Sequence, residues 1–179
     1  VKTAEELERK YDSGLQTRTQ TPLMEWFIYL FSIFFAGYHY FTAGFGTPID
    51  YWHMGFHMSG VILLVFICYP IIKSDRLMTI QAPAWWRPGT VPLWDWLFII
   101  IGIACSLYIG ITWYGVDIEV FGIQLHLVEQ VMRQGDPADI DIVFGTALII
   151  VLLEAVRRTL GMVVPIIIGI FTCYAIFGQ

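Results

Sequence analysis

Residues 93–113 read LWDWLFIIIGIACSLYIGITW, and their reading decides the class of the whole chain. Asp95 stands in the first turn, and no charged residue follows until after Trp113. An uninterrupted apolar helix of about 20 residues rises about 30 Å, the thickness of the hydrocarbon core of a bilayer. Trp94, Trp96 and Trp113 bracket it as aromatic residues bracket a membrane span at its two interfaces. The pattern recurs on both sides. Leu23–Ala43 carries Glu25 in its first turn, and Met54–Ile72 follows. Pro137–Arg158 has Asp136 as a helix cap and Pro137 as the first helical residue. Leu160–Phe177 comes last. The chain of 179 residues is 57% hydrophobic and 14% charged, against about 25% charged in an ordinary soluble domain, and its mean hydropathy is +0.66. These numbers exclude a water-soluble domain and leave no basic surface for nucleic acid.

The expectation is an all-α membrane protein. It has a bundle of four transmembrane helices, a fifth connecting helix and an outer amphipathic helix. Residues 1–22 form a cytoplasmic N-terminal segment, and 23–178 form the membrane domain, with spans at about 23–43, 54–72, 93–113, 137–158 and 160–177. The last two stretches cannot be one helix. At 1.5 Å per residue, Pro137 to Phe177 would extend about 60 Å, twice the membrane. It would also place Glu154, Arg157 and Arg158 in the lipid at about 2.5–3.5 kcal/mol each. A turn near Arg157–Gly161 is therefore expected.

Charge sets the orientation. With the N-terminus inside, nine of the ten basic residues are cytoplasmic and only Arg133 is outside, a strong positive-inside asymmetry. The outer segments hold Asp50, Asp117, Glu119, Glu129, Asp136, Asp139 and Asp141. The first 22 residues contain four acidic and four basic side chains, and no small-residue cleavage site follows the first apolar run, so no secretory signal peptide is expected. Thr3 and Glu6 fit a capping box, which predicts a short polar helix over Thr3–Tyr11, with a linker over Asp12–Pro22. Ser74–Pro92, with Pro83, Pro88, Pro92 and the Trp85–Trp86 pair, reads as an irregular inner loop. In Gly115–Gly135, Phe121, Leu125, Val128 and Met132 recur at helical spacing, which predicts the amphipathic helix on the outer surface or against a partner.

Chemistry is sparse. Cys68, Cys105 and Cys173 all lie in apolar runs, where cysteine serves as a small hydrophobe. His39 is near the outer end of the first span, and His53 and His57 are one turn apart at the outer start of the second. Two helices offering imidazoles at one face would suit a haem, against the alternative of interfacial polar residues bonded to backbone or water. His126 is expected in solvent. Glu25 and Asp95 lie at inner helix ends, where snorkelling and helix capping account for them. Glu154 and Arg158 are spaced to pair on one face, with Arg157 facing elsewhere. They read as a cytoplasmic anchor and turn, or as a contact with another subunit, against the alternative of an ion relay. Gly102, Ser106 and Gly110 form a small-residue stripe suited to close helix packing, and Gly55 with Ser59 repeats it. The sequence contains no nucleotide fingerprint, metal cluster or nucleophile–base pair, nor the paired, interrupted helices of an independent carrier. No cofactor and no enzymatic activity are expected.

The C-terminal run Leu153-Glu154-Ala155-Val156-Arg157-Arg158-Thr159-Leu160-Gly161 is followed by Val164-Pro165-Ile166-Ile167 and Tyr174-Ala175-Ile176-Phe177-Gly178. Together they resemble the small membrane subunit of the tripartite ATP-independent periplasmic (TRAP) transporters, in particular the TAXI subtype, whose small and large subunits are often fused. Tyr40-Phe41-Thr42-Ala43-Gly44-Phe45-Gly46, His57, Phe66-Ile67-Cys68-Tyr69-Pro70 and Asp95 follow the same order. The similarity extends over about Tyr11–Gly178. It implies a small scaffolding subunit that braces a large twelve-span elevator-type subunit carrying the sodium and substrate sites. A periplasmic substrate-binding protein would deliver organic-acid-like solutes. The expected location is the cytoplasmic (inner) membrane of a bacterium or archaeon, with lipid and those two proteins as partners. Leu160–Phe177 would then be the joint to the large subunit. Glu154, Arg157, Arg158, Phe121, Leu125, Val128, Gly102, Ser106 and Gly110 are the candidate interface or anchoring residues. The alternative is a haem-binding membrane anchor of a respiratory enzyme.

Overall fold

The structure, a computed structural model, describes residues 17–18, 20–47, 50–71, 91–113, 115–120, 123–127, 129–133 and 135–178. The expected helix over Thr3–Tyr11 and most of the loop over Ser74–Pro92 lie outside them. Five α-helices carry the architecture: α1 Pro22–Phe45, α2 Asp50–Cys68, α3 Leu93–Thr112, α4 Asp139–Leu160 and α5 Val163–Phe177. Two of them, over Tyr51–Cys68 and Leu93–Thr112, are long and apolar enough to cross a membrane, and α5 is apolar but shorter.

Local signals explain the helix ends. Pro22 opens α1, where a missing N–H costs nothing. α4 starts two residues later than Asp136 and Pro137 suggest. The Asp141 carboxylate accepts the Ala138 N–H at 2.9 Å and so covers a free donor of the first turn. α4 ends where Gly161 takes a φ of 85° and donates its N–H to the Arg157 carbonyl, a conformation glycine adopts without strain. α4 and α5 are thus two helices with a sharp break between them.

Packing centres on α2, α3 and α4. The most extensive contact is between α2 and α3, and α4 closes over both. Ile62, Phe66, Ile67, Ile99, Val151 and Ala155 form the buried core. The small-residue stripe of α3 packs within the chain. Gly102 lies against Ile62 and Val151, the Ser106 carbonyl against Gly55, and Gly110 against Tyr51 and Trp52. Ser59 and Ser106 return their hydroxyls to the carbonyls of Gly55 and Gly102, each at 2.7 Å, so the close contact leaves no hydroxyl unsatisfied. A Cβ at Gly55 would sit 2.7 Å from the Ser106 carbonyl oxygen, whereas one at Gly37 on α1 meets nothing within 4 Å. Gly55→Ala is therefore expected to force α2 and α3 apart at a cost of about 1–3 kcal/mol. Gly37→Ala should be neutral or slightly stabilising. Thermal unfolding followed by tryptophan fluorescence separates the two, and equal midpoints would refute the packing account.

The expected amphipathic helix over Gly115–Gly135 is replaced by a hairpin. Strands β1 Val116–Val120 and β2 Ile123–Leu127 pair antiparallel, and among the described residues of this stretch only Gln130–Arg133 is helical, as a 3₁₀ turn. The reason lies in a second period in the same letters. Val116, Ile118 and Val120 alternate with Asp117 and Glu119, and Ile123, Leu125 and Leu127 alternate with Gln124 and His126. The register sets Val116 opposite Leu127, Ile118 opposite Leu125 and Val120 opposite Ile123, and pairs the polar positions with one another. Alternation with β-branched residues favours a pleated ribbon, and it outweighs the helical spacing of Leu125 and Met132. Leu125 is thus a strand residue, while Phe121 and Val128 lie outside the described residues. Apart from this ribbon the described regular structure is helical.

Candidate functional site

At one end of the bundle five charged side chains meet. Asp95, in the first turn of α3, is buried with no exposure. One carboxylate oxygen accepts Arg158 Nη1 of α4 at 2.7 Å, and the other accepts Arg18 Nη2 from the segment before α1. Arg158 Nε donates to Glu154 at 2.8 Å, and Arg157 grips the same carboxylate through Nε and Nη2, each at 2.7 Å. Arg157 therefore does not face elsewhere. The long side chain curls back one turn and shares Glu154 with its neighbour. Three guanidinium groups against two carboxylates leave one formal positive charge in the cluster.

The cluster also caps α2. The last carbonyls of a helix lack intrahelical donors and carry its negative dipole end. Here the Arg18 N–H donates to the Cys68 carbonyl at 2.7 Å and Gln20 Nε2 to the Ile67 carbonyl at 2.7 Å. Arg158 Nη1 reaches the Tyr69 carbonyl at 3.2 Å and Arg157 Nη2 the Ile71 carbonyl at 3.0 Å. The Arg158 guanidinium carbon lies 4.5 Å from the centre of the Phe66 ring and 5.7 Å from that of Phe98, a favourable cation–π arrangement in a desolvated place. Each helix dipole meets the sign it favours: Asp95 at the start of α3, arginines at the ends of α2 and α4.

This arrangement holds elements together. Every carboxylate in it is neutralised by arginine, which keeps its proton. It clamps α2, α3, α4 and the N-terminal segment to one another. Asp95 and Arg18 were the residues missed. Asp95 read as a capping residue and Arg18 as part of a linker, because their partners are far along the chain. The available signal was that Arg18, Asp95, Arg157 and Arg158 were all placed at one end.

The opposite end carries the histidines. His39 of α1 and His57 of α2 meet directly, Nε2 to Nδ1, at 3.0 Å. Tyr38 and His53 meet through the hydroxyl and Nδ1 at 3.0 Å. Phe35 stands edge-on to His39, with ring centres 4.6 Å apart, and stacks on His57 at 5.7 Å. The imidazoles thus bond to each other and to a phenol. An axial pair on a haem would have to part by the width of an iron centre. At the same end Tyr108 donates to Asp141 at 2.7 Å, and Tyr51 stacks on Trp113. Among the described residues no group of three or more His, Cys, Asp or Glu is arranged to hold a metal ion.

The remaining surface is greasy. Within α5 no residue is buried, and Ile166, Ile170, Phe171 and Phe177 are all exposed. α1 buries only Thr42 and presents Trp26, Leu30, Phe34 and Phe41 outward. Trp52, Trp94 and Trp96 are exposed near helix starts, where an interfacial belt would put them. No family model matches this chain, and neither does any curated protein or solved structure.

Proposed function

We propose that this chain is the scaffolding small subunit, or subunit region, of a sodium-coupled, binding-protein-dependent secondary transporter of the TRAP type, TAXI subtype. In this reading α1 to α4 cross a bacterial or archaeal inner membrane with the N-terminus cytoplasmic. α5 leads toward a large twelve-span subunit that moves substrate, and the ribbon lies on the outer side, where a periplasmic binding protein docks. The observation that carries the reading is the contrast between the two parts of the molecule. One end is locked by the Arg18–Asp95–Arg158–Glu154–Arg157 clamp, while α1 and α5 offer apolar flanks that none of the described residues covers. A rigid core with open greasy flanks is what a static brace needs. A carrier would instead need a polar site between helices that part and close. The resemblance of Leu153–Gly161 and the segments around it adds the family.

Two measurements test this. The chain alone, reconstituted in liposomes under an inward sodium gradient, is expected to take up no solute. Expressed with its genomic neighbours and purified in mild detergent, it is expected to bring down a twelve-span membrane protein. Uptake by this polypeptide alone would overturn the proposal, as would purification without such a partner.

A further inference from the structure

The bond between His39 and His57 limits how many protons the two rings can carry together. Its nitrogens, His39 Nε2 and His57 Nδ1, stand 3.0 Å apart. A hydrogen bond between them needs one N–H and one lone pair. With both rings neutral, one donates and the other accepts. With one ring charged, the imidazolium donates to its neutral partner and the bond is strengthened. With both charged, two N–H groups point at each other, between like charges whose ring centres lie 4.8 Å apart. The closed pair therefore takes one extra proton and rejects a second. The neighbouring bond has no such limit. The Tyr38 hydroxyl meets His53 Nδ1 at 3.0 Å, and a hydroxyl can donate to the neutral ring and accept from the charged one.

What the pair fastens is α1. Among the described residues, the His39–His57 and Tyr38–His53 bonds are the only side-chain hydrogen bonds from α1 to another helix. The rest of its hold on α2 is aromatic. Phe35 lies over Gly60, where a Cβ would come within 2.3 Å of the ring, and Tyr38 stands edge-on to Phe56 at 4.6 Å. α3 packs on the other side of α2. Gly55, which meets Ser106 there, is two residues from both His53 and His57 and so faces away from them. The titratable groups about the pair are thus Tyr38 on α1 and His53 on α2, whose ring centre lies 5.2 Å from that of His39. On α3 and α4, Tyr108 and Asp141 are engaged with each other. Among the described residues no carboxylate bonds to His39, His53 or His57, so none steadies their charged forms. His57 is exposed, which gives a proton its way in.

We propose that the His39–His57 pair is an acid-sensitive latch: in mildly acidic solution a second proton breaks it, and α1 loosens from α2. The inference is independent of the transporter reading, and either can fail alone. Imidazole ordinarily takes up its proton near pH 6.5. Parted rings bind two protons where the closed pair binds one, so acid favours the parted state. Below that pH the ratio of open to closed molecules should rise by up to about tenfold per pH unit. The test uses the full chain in detergent micelles, carrying Cys68→Ala, Cys105→Ala and Cys173→Ala. Spin labels are attached at Ile33→Cys on α1 and Ile100→Cys on α3, both exposed positions. Pulsed electron paramagnetic resonance is expected to give one separation at about pH 8, with a second, longer one growing in by about pH 5. His39→Gln should abolish that change, because an amide near the Nε2 position can accept from His57 whether that ring is charged or neutral. On the chain with its own cysteines, imidazole nitrogen NMR should show His39 and His57 titrating in two separate steps. Identical distances at the two pH values overturn the proposal. So does equal opening in His39→Gln, or a single titration step shared by both rings.

Discussion

Asp95→Leu is expected to be the most damaging single substitution in the protein. It leaves the guanidinium groups of Arg18 and Arg158, both almost wholly buried, without the carboxylate they share. Breaking one side of a buried ion pair costs about 3–5 kcal/mol, because the remaining charge has no solvent to stabilise it. For a chain of this size that corresponds to a fall in Tm of about 6–20 °C. The change should also shift the fold. With Asp95 gone, the Arg18 side chain loses its carboxylate at the end of α2, and the Arg18 N–H bond to the Cys68 carbonyl is expected to weaken. Asp95→Leu combined with Arg158→Met should recover much of the loss, since buried ion pairs are often replaced by apolar pairs at little cost. Thermal unfolding of the purified variants in one detergent decides the matter. An unchanged Tm for Asp95→Leu would mean that the clamp contributes nothing to stability.

The second large effect is expected at α5. Ile166 and Ile170 lie one turn apart and are 54% and 63% exposed. If the bilayer covers this helix, aspartate at both positions costs about 5–7 kcal/mol, taking 2.5–3.5 kcal/mol for each charge at the centre of a span. The helix would then leave the membrane. Cys173, exposed on the same helix, reports on this directly. In a chain carrying Cys68→Ala and Cys105→Ala, a membrane-impermeant maleimide should label Cys173 slowly in intact membranes. It should label rapidly once Ile166 and Ile170 are both aspartate. Equal and rapid labelling of the two proteins would place α5 in water rather than in a bilayer.

Much of the helical layout is legible in the letters, and the reasons are local. Apolar runs of span length mark α1, α2 and α3 within a few residues. The break at Gly161 follows from arithmetic, since no single helix of that length fits a bilayer. The Glu154–Arg158 pair follows from a spacing of four. What escaped a local reading is long-range or ambiguous. Asp95 pairs with residues 77 and 63 positions away, and nothing within a turn of it announces either partner. The ribbon escaped because Leu125 and Met132 satisfy a helical period while Val116–Leu127 satisfies a period of two. Only the density of β-branched residues in β1 tilts the choice. At the histidine end, the shared location of His39, His53 and His57 was legible, but the direct bond between two imidazoles depends on how α1 lies against α2. The small-residue stripe was recognised as packing chemistry, yet the sequence could not say whether it faced inward or toward a partner.

The position of Arg18 has a consequence for how the protein is made. A ribosome delivers Arg18 first, Asp95 later and Arg158 last. If α3 inserts into a membrane with its start on the cytoplasmic side, as proposed above, Arg18 is already there as a cationic partner for Asp95 before Arg158 has been made. When α4 arrives, Arg158 completes the clamp and Arg18 becomes the second of two ligands. On that proposal Arg18 would act as a temporary counter-ion during synthesis and as a fastening afterwards. Its removal should therefore damage the yield of inserted protein more than it damages protein already folded.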